Sequence, residues 1–110
     1  MTASPLVITR RLAIQLLHEA QVAAPKAIDG VVTLVDGEPS RYLPAERAAG
    51  QTAWARVFSN PTAPAIPTAQ ELSAEMQTLM ISLDTKGVLE LRAWVQQNGA
   101  PLERAVSIKD

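Results

Sequence analysis

The chain has 110 residues, a formal net charge of −1, 47% apolar residues and no cysteine. That length leaves room for one modest core, so a single domain over residues 1–110 is expected. The composition offers no basic patch for nucleic acid, no apolar run near the ~20 residues that cross a membrane, and neither disulfides nor thiolate zinc sites. Residues 1–10 carry no apolar signal-peptide core, which makes the cytoplasm the expected location.

Leu6-Val7-Ile8 reads as a short leading strand, and Thr9 as the cap of a helix from Arg10 that stops before Pro25. Leu12, Leu16, Leu17, Ala20, Ala23 and Ala24 form one apolar stripe on it, which should face a sheet. His18 lies off that stripe, on the flank shared with Arg11 and Val22, as a solvated or partner-facing residue would. Ile28 to Val35 is rich in β-branched residues and ends at Asp36-Gly37, a hairpin signal, so Ser40 to Leu43 should return as its partner before Pro44. Residues 45–51 read as a loop and Thr52 to Phe58 as a further strand.

Prolines at 61, 64 and 67 exclude helix and central strand from the next loop. Thr68 should then open a helix with Leu72, Met76 and Leu79 on one face. Thr68-x-x-Glu71 is a capping-box pattern, which explains both side chains without any catalytic role. From Met80 the period changes to two: Met80 to Leu83, a turn over 84–87, then Val88 to Val95. Leu89, Leu91, Ala93 and Val95 share one face of that run, and Glu90, Arg92 and Trp94 the other. Asn98-Gly99 marks another hairpin, with Leu102 to Ile108 as the final strand. The order predicts a mixed α+β fold, a helix-flanked mixed sheet.

Phe58-Ser59-Asn60-Pro61, a spacer over 61–67, and Thr68-Ala69-Gln70-Glu71 together carry a distinctive spacing. It resembles the H-x-H-x7-S-x-x-D motif of the JAB/MPN (JAMM) metalloprotease family, with histidine at neither position. Pro25-Lys26-Ala27-Ile28-Asp29-Gly30 is similar to the family's P-x-E-x-C-G phrase, and Tyr42-Leu43-Pro44-Ala45-Glu46 to its Y-x-P-x-N. The resemblance spans nearly the whole chain, with a shortened segment between about 46 and 52. It implies the JAB/MPN, cytidine-deaminase-like type of sheet.

In the family, two histidines, an aspartate and a water hold zinc, a separate glutamate takes the proton from that water, and the serine helps hold the tetrahedral intermediate. Carried over, the histidines become Phe58 and Asn60, the aspartate Glu71, the serine Thr68 and the general base Ala27. This implies a degenerate site with no metal ligands, no zinc and no expected catalysis. Phe58 should fill apolar space that zinc and histidine would otherwise occupy. If the first strand of the hairpin has begun by Ala27, Asp29 lies two residues along on the same side, about 7 Å away. A base that far off is misplaced for proton transfer.

The resemblance implies an inactive JAB/MPN-like domain that binds protein. Its cleft would be framed by Trp54, Phe58, Asn60, Pro61, Pro64 and Pro67, and would take an extended peptide tail by strand addition. Expected partners are an active JAB/MPN paralogue or a ubiquitin-like or sulfur-carrier protein; the helix stripe is equally suited to another subunit, so an oligomer is open. No nucleic acid or membrane partner is expected. A rival reading is a divergent hydrolase using Asp29, Glu71 or His18, and a weaker third is a structural part of a larger assembly such as a phage tail.

Overall fold

In the computed structural model, which describes residues 5–73, 75–84 and 89–109, Leu6–Thr9 forms β1 and leads directly into α1, Arg10–Ala23. Thr9 caps the helix through Oγ1, which accepts from the Leu12 amide at 3.1 Å. The hairpin follows as β2, Asp29–Val35, and β3, Glu38–Pro44. Asp36 and Gly37 at its tip both have positive φ, 54° and 78°, as its two-residue turn requires. A 3-10 turn at Ala45–Arg47 leads to β4, Ala53–Asn60. Then come β5, Gln77–Ser82, β6, Glu90–Gln97, β7, Ala100–Arg104, and β8, Val106–Lys109.

The six-stranded sheet has the order β3-β2-β4-β5-β6-β7, and β1 pairs with β8 in a separate two-stranded parallel sheet. Within the large sheet only β4 and β5 run parallel. Gly30 of β2 sits so close to β3 that a Cβ there would clash with the Leu43 carbonyl and the Tyr42 ring. The result is a mixed α+β fold in which one helix, among the described residues, flanks a mixed sheet.

Two core clusters lie on opposite faces of the sheet. On one, Leu12, Ala13, Leu16 and Ala20 of α1, with Leu6 and Ile8 of β1, pack against Val32, Tyr42, Ala55, Val57, Leu79, Ile81 and Ala93. On the other, Phe58, Met80 and Trp94 pack with Ala65 and Leu72 from the connection between β4 and β5.

That connection corrects one expectation. No helix opens at Thr68: Leu72 lies in irregular chain and Leu79 in β5. A parallel pair needs a long crossover, and the described residues of the connection, 61–73 and 75–76, run as an irregular strap. Ser73 favours this locally, because its Oγ accepts from the Glu75 amide at 3.1 Å in a turn that competes with helix. Leu79-Met80-Ile81 is a continuous apolar run, which suits a strand buried on both faces as well as it suits a helix.

The final strand is also divided. The chain leaves the large sheet at Ala105, whose carbonyl accepts from the Leu6 amide at 2.8 Å, and β8 continues alongside β1. Of the turn expected over 84–87 only Asp84 is described, its amide donating to Ser82 Oγ at 3.1 Å; the rest of that turn and the expected start at Val88 lie outside the described residues.

Candidate functional site

Alternation along the central strands places Arg56, Phe58 and Asn60 on the face away from α1, because Ala55 and Val57 are spent on the helix-side core. The register then builds rows across the sheet. Phe58 stands beside Met80, and Met80 beside Arg92; Arg56 stands beside Thr78, and Thr78 beside Trp94. Asn60 stands beside Ser82.

The strap is fastened over these rows by side-chain donors of the sheet. Asn60 Nδ2 donates to the Pro64 carbonyl at 3.3 Å, Ser82 Oγ to Ala63 at 2.6 Å, and Trp94 Nε1 to Ala65 at 2.9 Å. Thr78 Oγ1 donates to the Glu71 carbonyl at 3.0 Å, and Arg56 to Gln70 at 3.5 Å. Irregular chain laid on a sheet has carbonyls that no helix or ladder satisfies, and these donors satisfy them.

Two guanidiniums lie over the aromatic rings of this face. Arg56 stands 4.7 Å from the Phe58 ring centroid and Arg92 4.9 Å from that of Trp94. Glu103 holds Arg92 bidentately at 2.6 and 2.8 Å. That pairing pushes the Arg92 pKa up, the hydrogen bond being the main cause, and draws the Glu103 carboxyl below its ordinary value for the same reason. The two arginines escape a motif-based reading, yet a signal exists: Arg-Val-Phe at 56–58 and Arg-Ala-Trp at 92–94 repeat one pattern at strand spacing.

The positions singled out by sequence come together in part. Phe58 is buried in the apolar cluster and Asn60 is spent on Pro64. Glu71 Oε1 accepts from the Thr68 amide at 2.8 Å, so the glutamate half of the capping box forms although only a single turn follows. Pro67 is buried, Pro61 half-buried and Pro64 exposed. Trp54 stands apart from them, packed against the helix-side cluster. Strand addition at β4 is closed, since β2 and β5 occupy both its edges; the edges of the sheet are β3 and β7.

Ala27 precedes β2, which begins only at Asp29, so the strand condition that would set Asp29 two residues along from it is not met. The register instead puts Asp29 directly opposite Phe58. Ala27 and Asp29 line a groove of about 360 Å³ with Glu19, Tyr42 and Glu46. There burial, and then the charges of Glu19, Asp29 and Glu46, push the Tyr42 hydroxyl up to about 12. His18 is exposed on α1, across the sheet from Glu71.

The zinc arrangement implied by the motif finds a poor donor set in these side chains. Phe58 has no lone pair, the Asn60 amide donates to a carbonyl, the Glu71 carboxylate is engaged by a backbone amide, and the Arg56 charge lies over the Phe58 ring. Among the described residues, no three His, Cys, Asp or Glu side chains converge as metal ligands would.

No family model matches the sequence, and neither does any curated protein. Solved structures do match in fold. A protein from Desulfitobacterium hafniense, solved in solution, superposes with a TM-score of 0.74 at 17% identity, covering 96% of this chain and 93% of that one. A protein from Salinibacter ruber, also solved in solution, gives 0.59 at 20% identity over 96% and 92% of the two chains. The crystal structure of a JAB1/MPN domain protein from Archaeoglobus fulgidus gives 0.59 at 18% identity over 96% and 99%. The chain therefore has a JAB/MPN-like fold.

Proposed function

We propose that this chain is a degenerate JAB/MPN-like domain that has exchanged its metal site for a protein-binding role, without zinc and without peptidase activity. The observation that carries this is the burial of Phe58, which the motif spacing aligns with the family's first ligand, among Ala65, Leu72, Met80 and Trp94. Asn60 and Glu71 support it, because each side chain is already tied to the backbone of the strap, Asn60 through Nδ2 and Glu71 through Oε1. Ala27 supports it too, since losing a general base alone costs about 10²- to 10⁴-fold in rate.

The partner in this reading is a protein, either an active JAB/MPN paralogue or a small ubiquitin-like carrier. It rests on the outer surface of the strap, where Pro64 and Ile66 are exposed, rather than against β4. A tagged pull-down from native extract with mass spectrometry tests this; such a partner at near-equal amounts is expected, and recovery of the bait alone contradicts it. Restoring Phe58→His, Asn60→His, Glu71→Asp and Ala27→Glu together should create zinc binding. If that variant folds and binds none, the correspondence of positions is wrong.

Of the alternative, a divergent hydrolase using Asp29, Glu71 or His18, the pairing of His18 with Glu71 is disfavoured by placement. His18 and Glu71 lie on opposite sides of the sheet, and a catalytic pair must come within hydrogen-bond reach of one substrate.

A further inference from the structure

Away from Phe58, the first half of α1 and the edge strand β3 enclose a hollow of about 410 Å³, lined by Arg11, Leu12, Gln15, Ser40 and Arg41. That volume falls within the roughly 300–1,000 Å³ of small-ligand sites. Gln15 fixes its geometry. Nε2 donates to the Tyr42 carbonyl at 3.4 Å and Oε1 accepts from the Tyr42 amide at 3.1 Å, which buttons the helix to the strand and consumes the amide. Leu12 is buried in the core below, while Arg11, Ser40 and Arg41 are exposed.

The charges in this hollow are uncompensated. Among the described residues neither Arg11 nor Arg41 has a carboxylate partner, whereas Arg92 is clamped by Glu103. Placing two guanidiniums on facing elements brings like charges together, and each leaves a planar fork of donors unsatisfied except by water. The acidic side chains near this helix gather at its other end, where Glu19, Asp29 and Glu46 line the groove beside Tyr42. An anion would be repelled there and attracted to the arginine end.

We propose that this hollow binds an oxyanion, the phosphate or carboxylate group of a small ligand, with Arg11 and Arg41 as paired donors and the Ser40 hydroxyl as a third. The volume leaves space beside Leu12 for a body larger than the anionic group itself.

The test is an NMR titration of the whole chain at low ionic strength with inorganic phosphate and, separately, with succinate, following backbone amides and arginine Nε–Hε signals. Saturable shifts confined to Arg11, Ser40 and Arg41 are expected, weakening as salt screens the pair. The double variant Arg11→Gln/Arg41→Gln should bind at least about tenfold more weakly, as loss of two charge-assisted bonds requires. Arg47→Gln, an exposed arginine of the 3-10 turn, should bind as wild type does. Arg41→Lys, which keeps the charge and loses the fork, serves if the double variant does not fold, and should weaken binding to a smaller degree. Saturation with phosphate alone identifies a phosphoryl ligand, and saturation with succinate alone a carboxylate; either supports the site. Shifts scattered over all arginines without saturation, binding that survives in the variants, or no binding of either probe overturns it.

Discussion

On one face of the six-stranded sheet, α1 lays Leu12, Leu16 and Ala20 onto Val32, Ala55, Val57 and Ala93; on the other, the strap packs Ala65 and Leu72 against Phe58, Met80 and Trp94. A helix satisfies its own backbone, so the strands beneath it can be plain and apolar. The strap cannot, and the strands beneath it carry donors: Arg56, Asn60, Thr78, Ser82 and Trp94 all reach its carbonyls. The difference teaches that an irregular cover is legible mainly in the strands it covers, through polar residues at buried positions such as Thr78 and Ser82.

The largest expected effect lies on the helix face. Leu16→Ala should lower global stability by about 2–5 kcal/mol, since Leu16 is fully buried, and denaturant unfolding measures it. Leu72→Ala, in the smaller cluster, should cost less; an equal or greater loss would break the contrast between the faces.

Tyr42 gives a pH handle on the helix side. Its folded pKa of about 12 lies above the ordinary value of 10, so the folded state keeps a proton that the unfolded state loses. Stability is whole below pH 10 and falls as the pH rises toward 12, by up to roughly 3 kcal/mol for a shift of that size. Because Tyr42 is the only tyrosine, tyrosinate absorbance reads it directly: a midpoint near 12 folded and near 10 unfolded is expected. Glu19→Gln and Glu46→Gln should each lower the folded midpoint.

On the strap face, Trp94→Phe removes the bond to the Ala65 carbonyl and leaves that acceptor buried and unpaired. We expect a loss of about 1–3 kcal/mol. Hydrogen exchange should rise over 61–76 while protection in α1 drops no more than global stability does. Uniform loss across both regions would show that the faces open as one unit.

The smallest effect belongs to the Arg92–Glu103 pair, which is partly exposed. Glu103→Gln should cost at most about 1 kcal/mol, reduced further by salt. Because the Glu103 carboxyl sits below its ordinary value, the contribution is present above the unfolded pKa and is lost as the pH falls through the folded one. An acid titration of stability with and without Glu103 measures it.

Much of the architecture was legible where a single residue type has one local solution. Thr9 at the helix start, Asp36-Gly37 at the hairpin and Asn98-Gly99 before β7 each do what their chemistry favours, with Asn98 at φ 53° and Gly99 at φ 79°. The alternation of Leu91 and Ala93 against Arg92 and Trp94 holds across β6. Leu72, Met76 and Leu79 misled because their spacing fits a helix, while tertiary pairing with β4 and β6 claims the last of them for a central strand. At the site, Phe58 as an apolar filler and Glu71 bonded to the Thr68 amide could be read in advance. Trp54 could not, because a register shift between Val32 and Thr33 in the pairing of β2 with β4 alters which side chains meet at that end.

Whether the strap face around Phe58, Asn60 and Glu71 holds a metal is measured most directly by calorimetric titration of the unaltered protein with zinc. The prediction is no stoichiometric binding, and the same weak, nonsaturating heat for Glu71→Ala. One zinc per chain at micromolar affinity or tighter, abolished in Glu71→Ala, would contradict it and return the site to the metalloprotease reading.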